Sequence, residues 1–277
     1  ARDLIFDRMR DPVVIGDSLG RIIDYNAGAA ALLDGLDGNA IGTDVATLFS
    51  DCDSIRSLIA DQVEGQSECL MERGGNTRRF DTSVSKISRG GRAIGIIVTL
   101  RDITENRRMV EKLHRMATID VLTGVANRGS FMERSTEELE RARRYDRPYS
   151  LIILDLDHFK RVNDTHGHRA GDLALKTVAN SLTEALRSDD IIGRYGGEEF
   201  VVYLPETRPR EACALAERLR VAVGDANLSF QGETIAVTAS FGVFGLDAAD
   251  GTTLDLALMR ADAALYRAKA LGRNRTE

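Results

Sequence analysis

Apolar and polar positions alternate over short runs through the first hundred residues, and glycine-rich breaks separate the runs. Val13 to Ile15 and Arg21 to Tyr25 flank Ser18-Leu19-Gly20, a pattern that predicts a β-hairpin. Asn26 then stands where an N-cap belongs, ahead of an alanine-rich stretch ending at Leu33. Asp53 holds the same position ahead of Ile55, Leu58 and Ile59, so two short helices are expected. Three strand-like runs follow, near Cys69 to Glu72, Phe80 to Ile87 and Ala93 to Leu100, parted by Gly74-Gly75 and Gly90-Gly91 turns. The resulting order is strand, strand, helices, three strands.

The strand pattern stops at Arg101-Asp102-Ile103-Thr104-Glu105. Thr104 is placed to cap a charged helix whose apolar positions, Met109, Val110, Leu113, Met116 and Ala117, form one narrow seam. Such a seam suits a connector packed on its own domain and a two-stranded coiled coil equally well. From Tyr149 the pattern predicts strand 149–154, helix 171–186, strand 190–195, strand 199–204, helix 209–223, strand 234–244 and helix 254–271, with Gly272 as its stop. The fold class is thus α/β (α+β): an antiparallel sheet with short helices, a helical linker, then a sheet flanked by helices. The boundaries are placed at 1–104, 105–119 and 120–277.

Composition narrows the choices. The chain has 277 residues, 43% apolar and 29% charged, with a mean hydropathy of -0.20, the profile of ordinary globular domains and long enough for two of them. Its longest strongly apolar stretch, Ala93 to Leu100, is far short of the roughly 18 residues that cross a bilayer, so no membrane segment is expected. The sequence opens at Ala1 with neither a charged leader nor an apolar run behind it, which speaks against a signal peptide and suits a piece of a longer protein. A net charge of -6 weighs against general nucleic-acid binding. Cys52, Cys69 and Cys213 are odd in number and widely spaced, so neither a disulfide framework nor a thiolate zinc site is expected. A reducing cytoplasm fits, and Cys52 and Cys69 read as small buried hydrophobes.

The candidate chemistry lies in two acidic stretches. Arg194-Tyr195-Gly196-Gly197-Glu198-Glu199-Phe200 sets two carboxylates directly after a glycine pair between two strands. Glycines there would accept positive φ at both hairpin positions and would let a phosphate chain approach the backbone. Taken alone, the two glutamates also suit a solvated turn. The second stretch, Leu154-Asp155-Leu156-Asp157-His158-Phe159-Lys160, ends a β-run on acidic residues. Ligands of open sheets gather at strand ends, and Asp155 could face Glu199 across adjacent strands. Such oxygen donors suit magnesium, and amides after Asp157 would be free for anionic oxygens.

The first hundred residues, through Asp102-Ile103-Thr104, resemble a PAS domain over residues 10 to 105, and the helix behind them resembles a PAS signalling helix. Residues 118 to 277 resemble the GGDEF diguanylate cyclases in their Gly-Gly-Glu-Glu-Phe variant. Supporting positions are Asp120-Val121-Leu122-Thr123-Gly124 with Asn127-Arg128, Asn163-Asp164, Gly167-His168, Gly171-Asp172, Ser240-Phe241-Gly242-Val243, and Ala261-Asp262 through Lys269 and Arg273. Val125 departs from the more usual Leu.

The resemblance implies a nucleotidyl-cyclase-like sheet that joins two GTP into cyclic di-GMP. Asp155, the Leu156 carbonyl, Glu198 and Glu199 would hold two magnesium ions, or manganese in their place, and Glu198 would help deprotonate the attacking hydroxyl. Asn163 and Asp172 match the guanine readers. A carboxylate can accept both Watson–Crick-edge donors of guanine, whereas adenine presents an acceptor there; as residues alone, both also suit turn and cap positions. Phe159, Lys160, Gly196 and Gly197 fall in the substrate-binding motifs. Lys269 and Arg273 match contacts to the terminal phosphates, and their i, i+4 spacing would put them on one helical face.

Joining two nucleotides requires two such domains face to face, which implies a homodimer whose alignment the sensor half can alter. Arg187-Ser188-Asp189-Asp190, five residues before Gly196, matches the RxxD product-binding motif, with Arg218 as its secondary arginine; Arg187 and Asp190 could instead merely flank a helix end. The histidines, His114, His158, His166 and His168, all lie outside residues 10 to 105, which excludes a histidine-ligated haem there and leaves the sensor ligand unread. His166 and His168 read as loop-shaping residues. A GGDEF domain without catalysis, acting as a GTP or cyclic di-GMP receptor, would carry the same motifs, but intact Asp155, Glu198, Glu199, Asn163 and Asp172 weigh against it. A sensor-dimerisation protein would leave the second half unexplained.

Overall fold

The computed structural model describes residues 6–36, 39–73, 76–226, 228–247 and 251–277. Two compact units divide the chain, one up to Lys112 and the other from Leu113.

The first unit is a five-stranded antiparallel sheet in the order β2-β1-β5-β4-β3. Its strands are β1 (Val13–Asp17), β2 (Ile22–Tyr25), β3 (Gly65–Arg73), β4 (Asn76–Arg89) and β5 (Arg92–Asp102). The helices α1 (Ala27–Leu32) and α2 (Asp53–Ala60) and a 3-10 turn (Val45–Phe49) complete it. Asn26 caps α1 as its residue type predicts, accepting the Ala29 amide. Asp53 does not cap α2; it is the first helical residue, and Cys52 occupies the N-cap without a side-chain hydrogen bond. Gly90 and Gly91 both take positive φ between Arg89 and Arg92, which pair directly, so this turn needs its glycines. The expected Gly74-Gly75 turn lies outside the described residues.

Cys52 and Cys69 are joined by a disulfide, which corrects the expectation of unpaired thiols. Both are buried, as hydrophobes would be. Their 17-residue separation is spanned because the start of α2 lies against β3, with Cα atoms 5.7 Å apart. Cysteine usage therefore no longer argues for a reducing compartment.

Helix α3 (Thr104–Thr118) follows. Thr104 begins it, and its hydroxyl accepts the Arg79 amide from β4 rather than a helical one. Arg107 pairs with Glu68 of β3. Met109, Val110, Leu113 and Met116 are all exposed. No helix among the described residues is long and apolar enough to cross a membrane.

The second unit is built on a four-stranded antiparallel sheet, β11-β6-β8-β7. Its strands are β6 (Tyr149–Leu156), β7 (Ile191–Gly196), β8 (Glu199–Pro205) and β11 (Ala239–Leu246). The expected strand 234–244 is shortened to β11, with residues 235–238 irregular, and a separate small hairpin, β9 (Ser229–Phe230) and β10 (Glu233–Thr234), precedes it. Every residue of β6 is buried, because helices cover both faces of the sheet. Ile152, Leu154 and Leu156 pack beneath α6 (His168–Ala185) and α7 (Pro209–Gly224). Tyr149, Leu151 and Ile153 pack beneath α4 (Arg128–Tyr145) and α8 (Leu254–Ala270). The remaining short helix, α5 (Phe159–His166), leaves the end of β6.

Candidate active site

Strand periodicity sets the acidic group. Along β6, side chains alternate between faces, so Asp155 shares the α8 face with Ile153. Asp155 is paired across the sheet with Glu199 of β8 on one side and Ser240 of β11 on the other. Glu198 sits in the β7–β8 turn, where its carbonyl accepts the Leu156 amide at 3.4 Å. The two acidic stretches therefore converge at one end of the sheet.

Burial pushes the Asp155 carboxyl up, with help from the nearby Asp157 charge; Lys269 and Arg273 oppose the rise without cancelling it. Glu198 is pushed up as well, first by burial and then by Asp155 and Glu199, against Lys269. Lys269, in the last turn of α8, places Nζ 2.9 Å from Asp155 Oδ2. Among the described residues no cluster of three or more His, Cys, Asp or Glu side chains is arranged to hold a metal ion. Asp155, Glu198 and Glu199 are by chemistry oxygen donors, the type suited to a hard cation that completes its shell with waters and substrate phosphates.

The glycine pair works differently from the expectation. Gly196 pairs with Glu199, so Gly197 and Glu198 are the central turn residues, and neither Gly196 nor Gly197 has positive φ. Side chains at these positions would also find room, since Gly196 has only Glu199 near it and Gly197 nothing. What shapes the turn is Arg194, which the sequence did not single out. Its Nε and Nη2 donate to the Gly197 carbonyl at 3.0 and 2.6 Å, and its Nη1 to the Asp120 carboxylate at 3.1 and 3.2 Å. Asp120 Oδ1 also accepts the Thr123 amide and hydroxyl. Burial would raise Asp120, but the Thr123 and Arg194 bonds outweigh it and hold the carboxyl below its ordinary range. The three-residue spacing of Asp120 and Thr123, which suits a carboxylate accepting from its own turn, is the signal the sequence carries.

Asn163 and Asp172 sit on α5 and α6, either side of the Gly167 corner. Asn163 rests against Gly171, where any side chain would collide with its Oδ1 and crowd Phe159. Phe159 is buried and Lys160 exposed at the start of α5, whose N-cap, His158, is left-handed and makes no side-chain cap. His166 lies 3.6 Å from Glu233 on its Nδ1 side.

Arg273 is not on the helical face of Lys269, which corrects that expectation. Helix α8 ends at Ala270, and Arg273 lies beyond it with φ +64. Proximity is kept by the turn, since Arg273 donates its amide to the Ala268 carbonyl at 3.0 Å.

At a separate place, Arg187, Asp190 and Arg218 line one cavity of about 340 Å³. Asp190 accepts the Arg187 amide at 2.8 Å, closing the turn between them. Burial pushes its carboxyl up, against the Arg187 amide and charge.

The family model described as "Diguanylate cyclase, GGDEF domain" matches residues 117–275, and a PAS fold matches residues 6–108. Diguanylate cyclase DgcP of Pseudomonas aeruginosa is 33% identical over 94% of this chain and 39% of its own length. The coiled coil and GGDEF domain of DgcB from Caulobacter crescentus, solved with c-di-GMP, superposes with a TM-score of 0.59 at 32% identity, covering 63% of this chain and 92% of that one. The active GGEEF domain of a diguanylate cyclase from Vibrio cholerae gives 0.51 at 34% identity, covering 54% and 94%. The chain spans between a fifth and a half of the length of the first curated relatives it matches.

Proposed function

Since the chain belongs to the GGDEF diguanylate cyclase family, with a PAS fold ahead of that domain, we propose that it condenses two GTP molecules into cyclic di-GMP with release of pyrophosphate. The observation that carries this is the cross-strand pairing of Asp155 with Glu199, with Glu198 in the adjoining turn. Asp155, the Leu156 carbonyl, Glu198 and Glu199 are the residues that would hold two magnesium ions, with manganese as a substitute. Bound there, the metal would neutralise charge on the α-phosphate and the departing pyrophosphate. Glu198, whose carboxyl is raised by burial, would take the proton of the attacking 3′-hydroxyl.

Asn163 and Asp172 would read guanine, Phe159 and Lys160 would present the amides at the start of α5, and Gly196 and Gly197 would leave room for the phosphates. Lys269 and Arg273 would meet the terminal phosphates. The second nucleotide comes from a facing domain, so the working unit is a homodimer. The exposed seam of Met109, Val110, Leu113 and Met116 on α3 supports pairing through the linker. In this scheme residues 1–104 are the sensor, 105–119 the signalling helix and 120–277 the cyclase, and bound cyclic di-GMP at Arg187, Asp190 and Arg218 slows its own synthesis. GTP as substrate, rather than cysteine usage, argues for the cytoplasm.

Incubation of the purified protein with GTP and magnesium tests the proposal. Pyrophosphate and cyclic di-GMP should appear together, and Glu199→Ala should nearly abolish both while the protein stays folded. Wild-type protein that binds guanine nucleotides yet yields neither product over a range of protein concentrations would make it a receptor instead.

A further inference from the structure

The carboxylate two residues beyond Asp155 is built into the protein differently from its neighbours. Asp157 is 7% exposed, and its oxygens take three hydrogen bonds, from Thr238 Oγ1 at 2.8 Å, Ser240 Oγ at 2.6 Å and the Asn274 amide at 3.0 Å. Its own amide donates to the Thr238 carbonyl at 2.8 Å. No function assigned above uses this residue. A carboxylate so enclosed has little capacity left for a cation, and its bonds reach to the far end of the chain.

That far end is the turn after α8. Arg273 and Asn274 both take left-handed backbone angles, φ +64 and +45, which residues other than glycine adopt rarely, asparagine more readily than arginine. Two contacts hold Asn274: its amide to Asp157, and its side-chain oxygen to Arg220 Nη1 at 2.7 Å. Downstream, the Phe241 amide donates to the Arg275 carbonyl at 2.9 Å, laying the last residues along β11.

We infer that Asp157 is a positioning residue: its carboxylate fixes the left-handed Arg273–Asn274 turn and thereby points the Arg273 guanidinium toward the terminal phosphates of the nucleotide. The inference rests on the phosphate role proposed for Arg273. Arg273 already stands near enough to Asp155 for its charge to favour that carboxylate. An amide at position 157 keeps the shape but loses the negative charge and must turn its nitrogen toward one of the three donors, so the bonds that anchor the turn weaken.

The test measures nucleotide affinity of the full chain in magnesium buffer, comparing GTP with GMP, which shares the base, ribose and α-phosphate but lacks the terminal phosphates. Asp157→Asn should weaken GTP by about tenfold, the scale of one charge-assisted contact, and leave GMP within about twofold of wild type. Arg273→Ala should do the same, and the double variant should be no weaker than Arg273→Ala alone. Equal losses for GTP and GMP, or additive losses in the double variant, would make Asp157 a general structural residue and overturn the inference. If Arg273→Ala leaves GTP affinity unchanged, the phosphate role of Arg273 itself falls, and the inference with it. Should Asp157→Asn not fold, Thr238→Val removes one donor to the carboxylate and is read in the same way.

Discussion

Lys269 Nζ lies 2.9 Å from Asp155 Oδ2, in a pair only 32% and 12% exposed at its two side chains. The ammonium thus faces the carboxylate proposed to hold metal, and it is the main influence keeping that carboxyl from rising further under burial.

The contact predicts a pH effect. The folded value of Asp155 lies above its ordinary 3.8, so between those two values the folded protein binds more protons than the unfolded one and loses stability as pH rises through the folded value. The same ionisation is what cation binding requires. Lys269→Met removes the opposing charge, so Asp155 should titrate at higher pH. The acid limb of magnesium-dependent pyrophosphate release should then move upward, with a weaker apparent affinity for GTP. Carbon-detected titration of the Asp155 carboxyl gives the shift independently of turnover, and an unmoved titration would show that Lys269 does not govern it.

The proposed guanine contact of Asn163 depends on the absence of a side chain at Gly171. Gly171→Ala inserts a methyl group against Asn163 Oδ1 and Phe159, an overpacking that typically costs about 1–3 kcal/mol. The expected outcome is a folded protein with a lowered unfolding midpoint, GTP affinity down by about tenfold or more, and a narrowed preference for GTP over ATP. Unchanged discrimination in a crystal structure with Asn163 displaced would remove Asn163 from guanine recognition.

Sequence pattern revealed this site unevenly, for physical reasons. Asp155 could be paired with Glu199 in advance because β6 is a run of apolar residues broken by acids at its end, and strand geometry leaves few partners for such a break. The turn at Gly196-Gly197 differs from its pattern because a glycine pair does not reveal which of its members is central, and here the hairpin is shifted by one residue. The i, i+4 spacing of Lys269 and Arg273 carries no record of where a helix stops, although Gly272 marks the place. Helix α4 leaves a faint pattern, since its buried Phe131, Ser135, Leu139 and Ala142 are sparse among charged residues. The cysteine pair joins elements distant in sequence, and only the packing of α2 on β3 brings them together.

That pair has a direct chemical test. Because Cys52 and Cys69 are buried, labelling of folded protein would not separate a disulfide from enclosed thiols. In denaturant without reductant, alkylation followed by mass spectrometry should label Cys213 alone, and after reduction all three cysteines. Closing a loop of this 17-residue separation contributes about 3 kcal/mol in the chain-entropy description, so Cys52→Ser with Cys69→Ser should lower the unfolding midpoint. Three labelled cysteines without reductant would show that the thiols stay unpaired.

Arg187→Ala tests the proposed product site with little risk to the fold. Asp190 is held by the backbone amide of Arg187, not by its side chain, so the alanine variant keeps the turn and loses only the guanidinium. A planar guanidinium can grip phosphate with two bonds and stack on guanine, which a lone surviving Arg218 would do less well. Initial rates should stay within about twofold of wild type, as for exposed substitutions away from a catalytic centre. The concentration of cyclic di-GMP that halves the rate should rise by about tenfold or more, the worth of one charged contact. Inhibition retained at the wild-type concentration would move the product site elsewhere on the protein, whereas a fall in initial rate matching the loss of inhibition would point to an altered catalytic domain rather than a lost inhibitor contact.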